Sequence, residues 1–364
     1  MKRAEAYANQ GSWLTHDWIA IEGPTEEEMA AAFRSDATLV NQYNSFFLDN
    51  ADFFDFQNMR TGAEVAVIYS TASIHYSILP HQFSFQGICE ILNALHVQYD
   101  PLAAGDGLAY PDYISDEKLD DYDIIFLPNT TALTAAQVEK FLNYVERGGT
   151  IVALGNVGKL DEYGKELRHP QFEELLAQPQ SGYGEGNFYT LREEGFNADD
   201  IIDEENEIHD IATAYYLFYV EYNEDVNPFL YRFDEQPGEY ISEMTAISIQ
   251  QEIGEIIDAS LEDRMMLDTF SNKVGAQVYF NTETPELVVH LLNYNYNLAE
   301  DQIYDQLNVP VSIRIPDGFD AHSVAILSPD FEGAEELEFE LDKSYINFNV
   351  PKLHIWDVVA IDLN

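Results

Sequence analysis

The chain has 364 residues, enough for two or three domains, and 46% of them are hydrophobic, enough for sizeable cores. That apolar content argues against intrinsic disorder, even at a formal net charge of -49 set by 66 acidic and 17 basic residues. So few bases exclude a phosphate-binding footprint, and with it direct binding to nucleic acid.

Residues 1–62 read as a helical docking arm. Trp13, Trp18 and Ile19 are scattered apolar anchors. Pro24-Thr25-Glu26-Glu27-Glu28 has the form of a helix start, with Thr25 as N-cap and Glu28 completing a capping box. A second helix is expected from about Ala37 to Phe47, with Leu39, Tyr43 and Phe46 or Phe47 on one face. The aromatic cluster Phe46, Phe47, Phe53, Phe54 and Phe56 is too apolar to stay in water and should dock on a neighbour.

Residues 63–178 alternate strand and helix. Buried-strand patterns occur at Ala63 to Ser70, Asp123 to Pro128 and Thr150 to Gly155, with a short strand near Val97-Gln98-Tyr99. Ile88, Ile91, Leu92 and Leu95 form a helical stripe. Ser115 is a candidate N-cap for a short helix. Val138, Phe141, Leu142 and Val145 give a further stripe, capped by Thr134 and stopped at Gly148-Gly149. This order implies a parallel sheet with helices on both faces and right-handed crossovers.

Residues 179–274 extend that α/β domain with acidic insertions. Asn187 to Leu191 reads as an edge strand, helices are expected near 205–218 and 247–262, and the acid run Asp199 to Glu207 as a solvated loop or helix start. Residues 275–364 form the third region, a small antiparallel β-sandwich. Its candidate strands are Gln277–Phe280, Leu287–Leu292, Val309–Ile315, Ser323–Leu327, Glu336–Leu341, Tyr345–Val350 and His354–Ile361.

Ligands of open α/β sheets lie beyond the carboxyl ends of the strands. A hydrolytic nucleophile there is usually Ser or Cys on a tight turn, and the turn Gly155-Asn156-Val157-Gly158 carries Asn156 instead. Ser70, His75, Asp106 and Asn156 are the candidate lining of a ligand crevice, with His81 close to the same loop. No catalytic residue is assigned, and no metal or cofactor is expected, because no nucleophile elbow, Cys-x-x-Cys, His-Glu-x-x-His or phosphate loop is present. Cys89, the single cysteine, reads as a buried helix residue, and no disulfide is possible within the chain. His290 and His354 read as packing residues of strands. In Asn293-Tyr294-Asn295-Tyr296-Asn297, Tyr294 and Tyr296 are candidates for stacking on sugar rings, against a hairpin turn or an interface contact.

Tyr122 to Pro128, Val138…Phe141-Leu142-Asn143-Tyr144-Val145, Gly148 to Gly155 and Asp161-Glu162 together resemble a known module. It is the class I glutamine amidotransferase-like domain, called the trimerisation domain, of family 42 β-galactosidases and related glycoside hydrolases. Asn41 to Phe47 leading to Val65 to Ser70 resembles the passage from the catalytic barrel into that domain. Val288 to Tyr294 and Leu353 to Val359 resemble the closing β-domain. The family's catalytic carboxylates belong to a (β/α)8 barrel of at least about 200 residues, which 62 residues cannot supply, so no glycosidase residue carries over.

The resemblance implies a non-catalytic accessory or oligomerisation module, partnered by its own copies or by a barrel-bearing glycosidase chain. The alternatives are a stand-alone hydrolase using the strand-end crevice, or a carbohydrate-binding protein. The acidic excess runs through the whole chain, from 10 acids against 4 bases in residues 1–62 to 23 against 4 in 183–274. That spread fits a salt-adapted surface, whose repulsion concentrated salt screens. With no apolar leader at Met1 to Tyr7 and no run of transmembrane length, a cytoplasmic protein without membrane or nucleic-acid partners is expected.

Overall fold

The computed structural model describes residues 41–54, 58–107, 109–191, 210–222, 243–261, 263–267, 269–271, 273–297, 300 and 302–364. The expectations for Trp13, Trp18, Ile19, Thr25 to Glu28, Ala37, Leu39, Phe56 and Asp199 to Glu207 lie outside those residues. The chain forms two compact units, one of Met1–Gly62 with Met265–Asn364 and one of Ala63–Arg264.

Strand β1 (Met59–Thr61) belongs to the first of these, the β unit. The other, the α/β unit, is built on β2 (Val65–Ser70), β3 (Tyr99–Ala104), β4 (Ile124–Pro128), β5 (Thr150–Leu154), β6 (Gln180–Tyr183) and β7 (Gly186–Leu191). Their order across the sheet is β3-β2-β4-β5-β7-β6, parallel throughout except for β6. The central strands are continuous apolar runs because both faces are covered. Side chains alternate between the faces. Ala66, Ile68, Ile125, Leu127, Ile151 and Ala153 pack with Val138, Phe141 and Val145 of helix Ala135–Glu146. Val65, Val67, Ile124, Phe126 and Val152 pack with residues of helices Ile78–Ala94, Ile211–Tyr222 and Glu243–Ser260.

Local chemistry sets the helix ends. Ser115 caps Asp116–Leu119, and Thr134 forms a full capping box with Gln137. Helix Ala135–Glu146 is followed by Gly148 at φ +115, a conformation that suits glycine. Helix Ile78–Ala94 meets Ile211–Tyr222 at Gly87, where an added Cβ would lie 1.8 Å from the Ala212 carbonyl oxygen.

In the α/β unit two strands differ from expectation, and in the β unit the single strand expected over Glu336–Leu341 is split between Ala334–Glu336 and Phe339–Asp342, which belong to different sheets. The strand expected near Val97-Gln98-Tyr99 starts at Tyr99 and runs on through Pro101 to Ala104. Its place at the sheet edge tolerates the missing proline N–H. Asn187 to Leu191 is not an edge strand, since β6 pairs with it on its outer side. The two later helices run Ile211–Tyr222 and Glu243–Ser260, each displaced by a few residues from the sequence reading. None of the helices among the described residues is long and apolar enough to cross a membrane.

The β unit continues with β8 (Val274–Asn281), β9 (Glu286–Asn293), β10 (Tyr296–Asn297), β11 (Gln302–Ile303), β12 (Gln306–Arg314), β13 (Ala321–Leu327), β14 (Ala334–Glu336), β15 (Phe339–Asp342), β16 (Tyr345–Leu353) and β17 (Trp356–Leu363). One sheet has the order β1-β8-β9-β17-β13-β14, a second β12-β16-β15, and β10 pairs with β11. Val289, Leu291, Val359 and Ile361 of the first sheet share a core with Val311, Ile313, Ile346 and Phe348 of the second, an antiparallel two-sheet arrangement. The alternate residues Val288, Leu292 and Val358 face the other way and pack with Tyr43, Phe54 and the buried Trp356. The aromatic cluster therefore does find a neighbour: Phe46 meets the Trp356 ring edge-on at 5.2 Å, and Phe54 lies 5.6 Å from it.

Candidate functional site

The carboxyl ends of β2, β4 and β5 are where this sheet would present a ligand site. Ser70 closes β2 and is 1% exposed. Its Oγ accepts the Ser73 N–H at 3.1 Å, capping helix Thr71–Tyr76, and donates to the Ala132 carbonyl at 2.9 Å. Its N–H donates to His81 Nε2 at 3.0 Å, and His81 Nδ1 is 2.7 Å from the Pro128 carbonyl. That pattern fixes the neutral tautomer with the proton on Nδ1. Burial pushes the His81 pKa down to about 4, with the Pro128 bond opposing the shift. The ring thus lacks a free nitrogen with which to take a proton from Ser70 Oγ, whose own hydrogen points to a carbonyl. The two residues form a structural tie between β2, β4 and helix Ile78–Ala94.

Next to it lies a buried polar knot that sequence reasoning missed. Asp210 is fully buried. One carboxylate oxygen accepts from Thr213 N–H at 2.9 Å and Ser84 Oγ at 3.1 Å, and the other from Asn129 Nδ2 at 2.7 Å and Thr213 Oγ1 at 3.2 Å. Burial raises its pKa while these donors pull it down. Asn129 stands at the end of β4 with φ +43 and accepts the Asn156 N–H at 3.0 Å. The one local signal was an aspartate directly before the apolar run that opens at Ile211, an N-cap pattern.

The four crevice candidates therefore have different surroundings. Ser70 is buried beside His81, and Asn156 is exposed with its backbone tied to Asn129 and Thr131. Asp106 accepts the N–H groups of Ala109 and Tyr110, closing its own loop. His75 is exposed, its ring 5.9 Å from that of Tyr110. Cys89 lies in the body of helix Ile78–Ala94, and burial pushes its thiol up to about 12, which keeps it protonated.

In the β unit the Asn293 to Asn297 stretch builds a hairpin. Asn293 Nδ2 bonds the carbonyls of Tyr304 and His354 at 2.8 and 2.7 Å, and Tyr296-Asn297 pairs with Gln302-Ile303. Tyr294, 41% exposed, lies over Gly275, and Tyr296 is half-buried. His290 is a packing residue, its ring 5.3 Å from Phe54, and burial lowers its pKa to about 3. His354 is not one: it stands in the bend between β16 and β17 and pairs with Asp305 at 2.7 Å. Among the described residues no group of three or more His, Cys, Asp or Glu side chains is arranged to hold a metal ion.

Fold and strand ends together define an α/β sheet unit joined to a two-sheet β unit, with the strand-end polar groups engaged in internal bonding. Among solved structures the chain is similar to the alpha-L-fucosidase isoenzyme 2 of Paenibacillus thiaminolyticus, at 12% identity and a TM-score of 0.57 over 100% of this chain and 56% of that one. It is also similar to the beta-galactosidase of Bacillus circulans sp. alkalophilus (10% identity, TM-score 0.47, 85% of this chain and 42% of that one). A third is Gan42B, a GH42 beta-galactosidase of G. stearothermophilus (10% identity, TM-score 0.45, 82% and 40%). Of the three, the fucosidase superposition speaks for the fold, and this chain spans little more than half of that protein's length. Neither a protein-family model nor a curated protein matches the sequence.

Proposed function

We propose that this chain is a non-catalytic accessory module of a glycoside-hydrolase-like protein, acting by assembly with its own copies. The observation that carries this reading is the state of the strand ends. Ser70, His81, Asn129 and Asp210 are buried and bonded to one another or to backbone, which suits a scaffold and leaves no activated nucleophile among them. Fold likeness across the full chain to part of a longer fucosidase supports it. A surface bearing -49 of formal charge, spread over every segment, supports adaptation of this module to concentrated salt.

The test is a panel of aryl glycosides assayed with the purified chain in molar KCl. No turnover above background is expected. Turnover that disappears in Ser70→Ala or His81→Ala, in a variant whose circular dichroism spectrum shows it still folded, would instead establish a hydrolase at the strand ends.

A further inference from the structure

A cleft of about 390 Å³ opens in the β unit, and its wall combines carboxylates with apolar side chains. Asp305 is its one internally neutralised acid. Its two oxygens hold His354 Nδ1 at 2.7 Å and Lys352 Nζ at 2.9 Å, so the cleft's two basic side chains are both directed at it. Asp357 is different. It is the second residue of β17, lines the cleft at 1% exposure, and its Oδ2 has no hydrogen-bond partner among the described residues. Asp330 lines the same wall as an exposed residue; partial desolvation raises its pKa, while His354 and Lys352 pull it down. The hydroxyl of the buried Tyr43 also has no partner among the described residues, and the charges of Asp330 and Asp357 act on it.

A buried carboxylate oxygen without a donor is rare and calls for one. Lys352 and His354 are already engaged, so what the cleft still offers is acceptor capacity and negative charge, at Asp330 and, above about pH 7 where its proton has left, at Asp357. The complementary ligand head carries several N–H donors and a positive charge. A neutral sugar, whose hydroxyls need donors as well as acceptors, matches less well. Ile326, Phe331 and Pro351 line the remainder and suit an apolar stem. We infer that this cleft binds an organic cation, a guanidinium or ammonium group on a short apolar stem, with its head against Asp357 and Asp330.

Calorimetric titration of the whole chain at fixed ionic strength and about pH 8.5, where Asp357 has lost its proton, tests this with two guanidinium probes, agmatine and acetyl-Gly-Arg-Gly-amide, and two neutral ones, galactose and L-fucose. Saturable binding of a guanidinium probe at one site per chain is expected, weakened about tenfold or more by Asp357→Asn and also by Asp330→Asn. Binding of agmatine alone assigns the site to a free amine. Binding of both guanidinium probes assigns it to an arginine carried on a polypeptide. Saturation by neither guanidinium probe, or saturation by the sugars alone, overturns the inference. So does undiminished binding in both variants. Asp330→Asn, at an exposed position, keeps the test valid if Asp357→Asn fails to fold.

Discussion

Two buried titratable residues give the protein opposite responses to pH. His81 is held neutral, its pKa pushed down to about 4 against about 6.5 in an unfolded chain. Its contribution is present above the unfolded value and is lost as pH falls from about 6.5 towards 4. Asp357 is pushed up to about 7 by burial, against about 3.9 unfolded. Its folded state holds a proton that the unfolded state has released, so its contribution is present at low pH and is lost as pH rises from about 4 through 7. Urea unfolding should therefore show wild type losing stability relative to Asp357→Asn as pH rises across that window, with parallel curves above it. A pH-independent difference would mean that Asp357 does not titrate there. His81→Ala should cost about 2–4 kcal/mol at pH 8, since it strands the Ser70 N–H and the Pro128 carbonyl in the interior. Little of this was legible in the sequence. The partners of Asp210, Ser84 and Asn129, lie 126 and 81 residues away along the chain, so only the folded sheet brings them together.

At the scale of elements the sequence was a better guide, because helix caps and apolar stripes are local. Thr134, Ser115 and the Val138-Phe141-Leu142-Val145 stripe were readable for that reason, as were the apolar runs of β2, β4 and β5. What escaped was decided by neighbours. Pro101 conceals a strand that an edge position permits, and β6 is a short, half-exposed strand recognisable only by its pairing with β7. Gly87 is a further case: it looks like an ordinary helix residue, yet the backbone of Ala212 occupies the space a side chain would need. Gly87→Ala should force helices Ile78–Ala94 and Ile211–Tyr222 apart and cost about 3 kcal/mol or more. A melting temperature within about 2 °C of wild type would contradict that close approach.

For the whole molecule, alternation of strand and helix followed by short alternating strands was enough to place a parallel sheet before an antiparallel β region. The grouping of the aromatic stretch around Phe46 and Phe54 with the β unit followed only from Trp356, some 300 residues later in the chain. Net charge acts at this scale too. With 66 acids and 17 bases, self-repulsion opposes the compact state at low salt and is screened at high salt. The melting temperature should rise steadily from about 0.1 M to 2 M KCl, over which the Debye length falls from about 10 Å to below 3 Å. Unchanged melting across that range would sink the salt-adaptation reading.

The measurement that bears most directly on an assembly module is its mass in solution, by light scattering in about 2 M KCl, where carboxylate repulsion is screened. A discrete dimer or trimer, stable on dilution to micromolar concentration, is the predicted result. A clean monomer under the same conditions would contradict the account.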